Sequence, residues 1–186
     1  AVGGMPQAVE AYVTTYNFSK VDEVKQDIID LYEEDFQKLG GDAVSLFRNI
    51  PSQLNSNIKR YKLGSISKNM RVANKEEEIF DIVDSQVVNA VYAVTDPNVG
   101  LAANVDRRRF KLFTADIGIF TSLEFKDVGF ENNEIYQKLI NNQLPANLGY
   151  LFENMASQIL VTLNRNAYFY TSYNKETKHT YEIDFI

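Results

Sequence analysis

The chain ends in Tyr181-Glu182-Ile183-Asp184-Phe185-Ile186, an apolar run that holds two carboxylates two residues apart. Side chains alternate between the two faces of a β-strand, so this stretch predicts Glu182 and Asp184 on one face and the apolar side chains packed on the other. A buried carboxylate without a partner is costly, which indicates a partner, a metal ion or water beside them. A strand at the last residue also predicts that more of the fold follows Ile186 in a longer protein.

The residues before this run predict a helix and a β-hairpin. A helix is expected from about residue 146 to 164, and strands at 167–173 and 180–186 with a polar turn at 174–178. The Tyr168-Phe169-Tyr170 run is interpreted as strand packing, with base stacking as the alternative. Apolar residues at helical spacing mark the helix: Leu148, Leu151, Phe152, Met155, Ile159, Leu160 and Leu163.

The first part of the chain is predicted to be mainly helical. A short helix is expected at residues 7–16, followed by a long one that has Ser19 as its N-cap and ends at Gly40-Gly41. Its apolar stripe consists of Val21, Val24, Ile28, Leu31, Tyr32, Phe36 and Leu39.

Further helices and a two-stranded flap complete this part. Helices are predicted at 43–49, 51–58 and 74–85, the last with Asn74 as its cap, and strands at 87–95 and 110–113. Helices followed by such a flap are the order of a winged helix. Beyond a soft boundary near residue 115, Asp116 is interpreted as a helix cap rather than a catalytic group, and 131–140 as weakly helical.

Composition excludes several classes of protein. With 186 residues, 45% of them hydrophobic and 24% charged, the chain is typical of a globular fold. It has no cysteine and one histidine, which excludes a thiolate nucleophile, a zinc-thiolate site and a multi-histidine metal centre. His179 is interpreted as a solvated surface residue. No stretch suits a membrane span, and we expect a cytoplasmic protein.

The net charge of -6 argues against nonspecific nucleic-acid binding by the chain as a whole, but two local segments are basic. They are interpreted either as solvated loop charge or as a surface that contacts phosphates, and the sequence leaves both open. The first segment contains Lys59, Arg60, Lys62, Lys68 and Arg71, and the second contains Arg107, Arg108, Arg109 and Lys111.

Three stretches in a fixed order carry a resemblance to a known family. They are Gly4-Met5-Pro6 with the later Tyr32-Glu33-Glu34-Asp35-Phe36, then Phe110-Lys111-Leu112-Phe113-Thr114-Ala115-Asp116-Ile117-Gly118, then Gly149-Tyr150-Leu151-Phe152-Glu153-Asn154 with Glu182-Ile183-Asp184-Phe185. Together they resemble the C-terminal domain of unknown function of predicted AAA-superfamily ATPases of bacteria and archaea. The resemblance implies an α+β fold, with a helical winged-helix-like region at 1–115 and a partial restriction-endonuclease-like region of the PD-(D/E)XK type at 116–186.

The resemblance also implies a site. Glu153 and Asp184 match the positions that are catalytic and hold magnesium in a working nuclease of this type, together with a Glu-x-Lys on the next strand. No residue follows Ile186 to supply that strand, and no Gly-x-x-x-x-Gly-Lys-Ser/Thr motif occurs. We therefore expect no cofactor in this chain, and ATP and magnesium only in a longer parent protein.

The sequence thus predicts a non-catalytic accessory module of an ATPase that contacts nucleic acid or protein. The alternative is part of a magnesium-dependent DNA nuclease. Expected partners are the ATPase module of the same protein and, through the basic segments, DNA. No membrane partner is expected, and the sequence leaves the oligomeric state open.

Overall fold

The computed structural model describes residues 2–56, 60–65, 75–98, 100–126, 137–138, 141, 143 and 149–186. Within these residues, seven α-helices and one four-stranded mixed sheet form the fold, with helices first and most strands later. The predicted α+β class is confirmed. None of the described helices has both the length and the apolar character needed to cross a membrane.

The helices are α1 (Pro6–Thr15), α2 (Phe18–Leu39), α3 (Ala43–Arg48), α4 (Ile50–Asn55), α5 (Glu76–Asp84), α6 (Ile117–Glu124) and α7 (Gly149–Thr162). The strands are β1 (Val88–Val94), β2 (Val105–Thr114), β3 (Tyr168–Asn174) and β4 (His179–Ile183). Two 3-10 helices, Leu63–Ser65 and Leu101–Asn104, complete the regular structure of the described residues.

The sheet joins strands from both ends of the chain in the order β2-β1-β3-β4. β1 is antiparallel to β2 and parallel to β3, and β4 is antiparallel to β3. The parallel pairing is short, because only Tyr92 with Tyr168 and Ala93 with Phe169 are in register. The boundary near residue 115 stays a prediction, although strands from both sides of it pair here.

The two faces of β2 have different environments. Phe110 and Leu112 belong to the larger core, together with residues of the helices. Lys111 and Phe113 point the other way, where Phe113 packs with Val91 and Phe169 in a smaller core. α7 packs against β1 and β2, so it brings its side chains close to this sheet.

The long helix α2 begins two residues earlier than its predicted cap requires. Asn17 is the N-cap, and its side chain accepts a hydrogen bond of 2.9 Å from Ser19 N, so the prediction of Ser19 as cap was wrong by two residues. Asn is as good an N-cap residue as Ser, and Asn17 comes first in the chain, so the helix begins after it. The helix ends at Gly40, as predicted.

The buried face of α2 is less apolar than its sequence suggests. Lys25 and Glu33 are buried, whereas Leu31 from the predicted stripe is 60% exposed. Lys25 Nζ lies 3.3 Å from Asp22 Oδ1, and Glu33 forms an ion pair with Arg48. Burial is the largest influence on Lys25 and lowers its pKa from the ordinary value, because it disfavours the ammonium ion.

The residues of α7 that are buried also differ from those that the apolar pattern of the sequence predicts to be buried. Phe152 is 64% exposed and Ile159 50% exposed, while Asn154 is completely buried. The Asn154 side chain accepts a hydrogen bond from Thr114 N at 2.9 Å and donates one to Thr114 O at 3.1 Å. Its amide thus makes the two backbone hydrogen bonds that a neighbouring strand would make to this residue of β2. The polar side chain of Asn154 is therefore buried, whereas the apolar side chains of Phe152 and Ile159 are exposed. The start of the predicted helix, 146–148, lies outside the described residues.

The shorter elements agree closely with the sequence predictions. α3, α4 and α5 fall on the predicted helices 43–49, 51–58 and 74–85, and β1 falls on 87–95. β2 begins at Val105, five residues before the predicted strand 110–113, because Val105 and Asp106 pair with β1 again beyond a register shift that leaves residues 107–109 without partners in the ladder. Asn74 lies outside the described residues, as does most of the predicted helix 131–140.

Asp116 holds the amino-terminal segment against α6. Its Oδ1 caps the helix by accepting from Ile119 N at 3.0 Å, as the sequence predicted, and its Oδ2 accepts from Gly4 N at 2.5 Å. Gly3 has a φ of +87°, and a Cβ on Gly118 would overlap Val2 O. This approach of two backbone segments requires glycine at position 118.

We predict that Gly118→Ala lowers the free energy of unfolding by about 1–3 kcal/mol, because the added methyl group has no space and the amino-terminal segment must move. Urea unfolding followed by circular dichroism measures the loss. Gly41→Ala is the matched control, since a Cβ there meets nothing within 4 Å, and we expect a change within about 0.5 kcal/mol. Equal losses in both variants would contradict this account of Gly118.

Candidate functional site

A buried lysine on β2 forms the centre of the most unusual group of side chains in the described residues. Lys111 is 4% exposed and lies directly opposite Val91 on β1. Lysine is rarely buried to this degree unless carboxylates accept its charge. Its partners therefore show which elements meet at this point.

Three carboxylates surround the ammonium group, and they come from different elements. Lys111 Nζ lies 2.6 Å from Glu182 Oε1, 2.8 Å from Asp184 Oδ1 and 3.4 Å from Glu153 Oε2. Glu182 is on β4, Asp184 directly follows β4, and Glu153 is on α7. We call these four residues the Lys111 cluster. The helix-borne and strand-borne acids that the resemblance pairs are thus both placed at one ammonium group.

The alternation of β4 directs its acids toward Lys111. Glu182 is in register with Thr171 on β3, and its side chain is only 8% exposed. Tyr181 and Ile183 occupy the other face but are 57% and 50% exposed. The predicted alternation is confirmed, whereas the expectation that the apolar face of this strand is packed was wrong for these two residues. No described element covers them enough to bury them.

An aromatic ring completes the surroundings of Lys111. Lys111 Nζ lies 5.6 Å from the ring centroid of Phe169, and Arg109 Cζ lies 6.0 Å from the same centroid. Arg109 also donates a hydrogen bond to Thr171 Oγ1. The negative face of the ring thus stabilises both cations, in addition to the carboxylates.

The charges of the cluster depend on one another. Burial opposes the positive charge of Lys111, but the hydrogen bonds to Asp184 and Glu182 outweigh it and raise the pKa of Lys111 above 10.5. Lys111 is therefore an ammonium ion at neutral pH. Burial raises the pKa of Glu153 above 4.5, while Lys111 lowers it and Asp184 raises it further.

The sign of the effect of Glu153 on stability follows from this raised pKa. The folded protein binds the Glu153 proton more tightly than the unfolded chain does. Stability therefore falls as the pH rises from 4.5 through the folded-state pKa of Glu153. The raised pKa of Lys111 acts in the same direction at higher pH, because its contribution to stability is complete below 10.5 and is lost as the pH rises through its folded-state pKa.

The cluster does not fit a magnesium ion in this arrangement. Among the described residues, no group of three or more His, Cys, Asp or Glu side chains is placed to hold a metal. Magnesium needs oxygen ligands at about 2.0–2.1 Å in nearly octahedral geometry. Here the ammonium group lies among the carboxylates and already supplies the compensating charge. Glu153 and Asp184 as metal ligands stay a prediction that this geometry does not favour.

The described parts of the two basic segments lie side by side. Tyr61 N donates a hydrogen bond of 2.7 Å to Phe110 O, and the two rings stack with centroids 6.1 Å apart. Arg60 and Lys62, which flank Tyr61, are exposed and run along the outer edge of β2. We call this surface the basic edge, defined as Arg60, Lys62, Arg107 and Arg108. The guanidinium of Arg109 instead contacts Phe169 and Thr171 of β3. Of the predicted nucleic-acid-binding residues, Lys59, Lys68 and Arg71 lie outside the described residues.

The sequence assigns Lys111 to the second basic segment, because it follows three arginines closely. The structure instead buries it inside the fold, so that assignment was wrong for this residue. The signal that identifies it is the alternation Phe110-Lys111-Leu112-Phe113, where one charged residue stands in an otherwise apolar strand. Such a lysine predicts buried acidic partners elsewhere in the chain. His179, by contrast, is exposed, as predicted.

Comparison with known proteins gives one match. Residues 1–133 match a domain of unknown function, DUF8612. The match contains Lys111 and all of the basic edge in its sequence range, whereas Glu153, Glu182 and Asp184 lie beyond it. No curated protein and no solved structure matches the chain.

We predict that Lys111→Met lowers the free energy of unfolding by about 3–5 kcal/mol, because it leaves the buried carboxylate of Glu182, and the partly exposed ones of Glu153 and Asp184, without their cation. Urea unfolding at neutral pH measures the change. Lys38→Met is the matched control: Lys38 pairs with Asp35 at 2.7 Å, but both side chains are largely exposed, at 73% and 72%. We expect little change there. A Lys111→Met variant as stable as this control would show that the cluster contributes little.

Proposed function

Because the chain belongs to the DUF8612 family, whose description names no activity, we propose a function from its geometry: a non-catalytic accessory module of an AAA-superfamily ATPase that contacts nucleic acid. The link to an ATPase rests on the resemblance of the three sequence stretches. It requires a Gly-x-x-x-x-Gly-Lys-Ser/Thr motif elsewhere in the parent gene. Sequencing of the parent gene on both sides of residues 1–186 tests that link.

The hydrogen bond from Tyr61 N to Phe110 O carries the proposal of nucleic-acid contact. It joins the backbones of two segments that are distant in sequence, and Arg60 and Lys62 therefore lie beside the arginines of β2. Arg108 is exposed, and Arg107 lies over the ring of Tyr92 with Cζ 5.6 Å from the centroid. Several cations along one strand edge suit the regular spacing of backbone phosphates.

Acidic residues near one end limit this surface. Arg107 lines a cavity together with Glu76 and Glu77, whose charges weaken its attraction for phosphate. Arg60 and Arg108 are therefore the better test of the basic edge. A net charge of -6 for the chain also means that contact depends on this local surface rather than on the overall field.

The non-catalytic part of the proposal is supported by the Lys111 cluster. Its carboxylates are used to stabilise a buried ammonium ion, with two of the three contacts at 2.6 and 2.8 Å. Such groups hold a fold together and leave no coordination position for a metal-bound water. In this arrangement the same carboxylates cannot both neutralise Lys111 and coordinate a metal ion.

We predict that Arg60→Glu with Arg108→Glu weakens binding of double-stranded DNA at low salt. The slope of log K against log salt should become shallower by about 0.9 for each phosphate that the double variant no longer neutralises. Fluorescence anisotropy across a salt series measures both quantities.

Lys175→Glu with Lys178→Glu is the control for this test, because both lysines are exposed in the turn between β3 and β4 and the change in net charge is the same. We expect it to retain most of the affinity. Equal weakening in both double variants would mean that only net charge matters. Absence of DNA binding by the unaltered chain at low salt would leave protein contact as the function.

The second candidate function is part of a magnesium-dependent nuclease, and one observation favours it: Glu153 and Asp184 approach the same ammonium group. We predict that the chain does not cleave supercoiled plasmid in magnesium buffer, because Lys111 occupies the space among the acids. Agarose gels of plasmid after incubation check this. Magnesium-dependent cleavage that Asp184→Asn abolishes would establish the nuclease and refute the non-catalytic module.

A further inference from the structure

A cavity of about 410 Å³ lies between the end of α7, the start of β3 and the strands β1 and β2. Its volume is within the range of small-molecule sites in proteins. It is separate from the Lys111 cluster, none of whose four residues lines it. Its lining combines apolar walls, such as Val161 and Tyr168, with a few polar groups.

The charge of this cavity is entirely positive. Arg107 and Arg165 line it, and no carboxylate of the described residues does. Neither guanidinium forms an ion pair with a carboxylate in the described part of the chain. Arg107 contacts the Tyr92 ring and also lines the neighbouring cavity that holds Glu76 and Glu77, so the exposed Arg165 is the stronger of the two cations for an anion. Other cations of the described residues do pair with acids, among them Lys20, Lys38, Arg48 and Lys75. Two cations that face one cavity indicate an anionic ligand.

A buried hydroxyl in the same lining is an independent observation. Ser157 is 1% exposed, and its Oγ has no hydrogen-bond partner among the described residues. Burying a hydroxyl group without a partner costs free energy, and an acceptor atom in the cavity would remove that cost. The residue lies on the face of α7 that lines the cavity.

We propose that this cavity binds a phosphate monoester, with the phosphate at Arg107 and Arg165, Ser157 Oγ donating to the ligand, and the organic body against Tyr168. Two guanidinium groups balance the two negative charges of such a phosphate, and their paired N–H donors match its terminal oxygens. The ester is either a free mononucleotide or the 5′-phosphate end of a nucleic-acid strand. The proposal does not depend on the basic edge, with which the cavity shares only Arg107.

The first experiment measures binding of AMP, adenosine and inorganic phosphate by isothermal titration calorimetry. We expect AMP to bind and adenosine to bind at least about tenfold more weakly, because adenosine cannot form the charge-assisted hydrogen bonds. Equal affinity for AMP and adenosine would overturn the proposal. Two oligonucleotides that differ only in a 5′-phosphate distinguish the second source, and the phosphorylated one should bind more tightly if a strand end is the ligand.

Variants then assign the site. Arg165→Gln should weaken binding of the phosphate ester at least about tenfold, whereas Lys175→Gln, which removes an exposed cation that neither lines the cavity nor belongs to the basic edge, should leave it unchanged. Ser157→Ala should weaken binding several-fold without lowering the thermal midpoint of unfolding, since it deletes a hydroxyl group that has no partner among the described residues.

The outcomes separate this inference from the proposed function. Loss of AMP binding in Arg165→Gln alone supports the cavity even if double-stranded DNA does not bind the chain. Equal loss in Arg165→Gln and Lys175→Gln would show general attraction of anions and overturn the site. Failure of AMP, inorganic phosphate and the 5′-phosphorylated oligonucleotide to bind would overturn it as well, whatever the result for the basic edge.

Discussion

The attachment of the β3–β4 hairpin depends on one buried ammonium ion. The hairpin joins the sheet through only two residue pairs of β1 and β3, which is a short parallel ladder. Lys111 adds a second connection, because it holds Glu182 and Asp184 of the hairpin region and Glu153 of α7 at the same point. Removal of Lys111 would leave the buried carboxylate of Glu182 without its cation, so the cluster reinforces the apolar contacts of Phe169 and Phe185 with Phe113 that also hold the hairpin.

The fixed position of this region has consequences for the rest of the surface. α7 and the start of β3 form walls of the arginine-lined cavity, while the opposite edge of β2 carries Arg60 and Lys62 beside Phe110. Residues of β2 therefore contribute to both surfaces. The cavity lies where β2 pairs with β1, and the basic edge lies along the outer side of β2. The Lys111 cluster stabilises the strand between them and takes no part in either surface.

The sequence predicted those features that local chemistry determines. Gly40 ends α2 and Asp116 caps α6, because helix ends need particular residues within a turn of the chain. Distant partners were not predictable in this way. Asn154 is buried because it bonds Thr114, 40 residues away, and Lys111 because it meets Asp184, 73 residues away. Helical periodicity detects apolar faces, and it cannot reveal which polar side chain meets a backbone partner from a distant strand.

The exposed apolar residues of α7 affect how the molecule behaves in solution. Phe152, Met155 and Ile159 are exposed on the helix and Leu163 is exposed directly after its end, at spacings of three and four residues. A net charge of -6 gives copies of the chain a mutual repulsion that opposes association through this strip. Near the isoelectric point of about 4.9 that repulsion vanishes. Acidification toward this pH should therefore favour association of copies of the chain through the exposed strip.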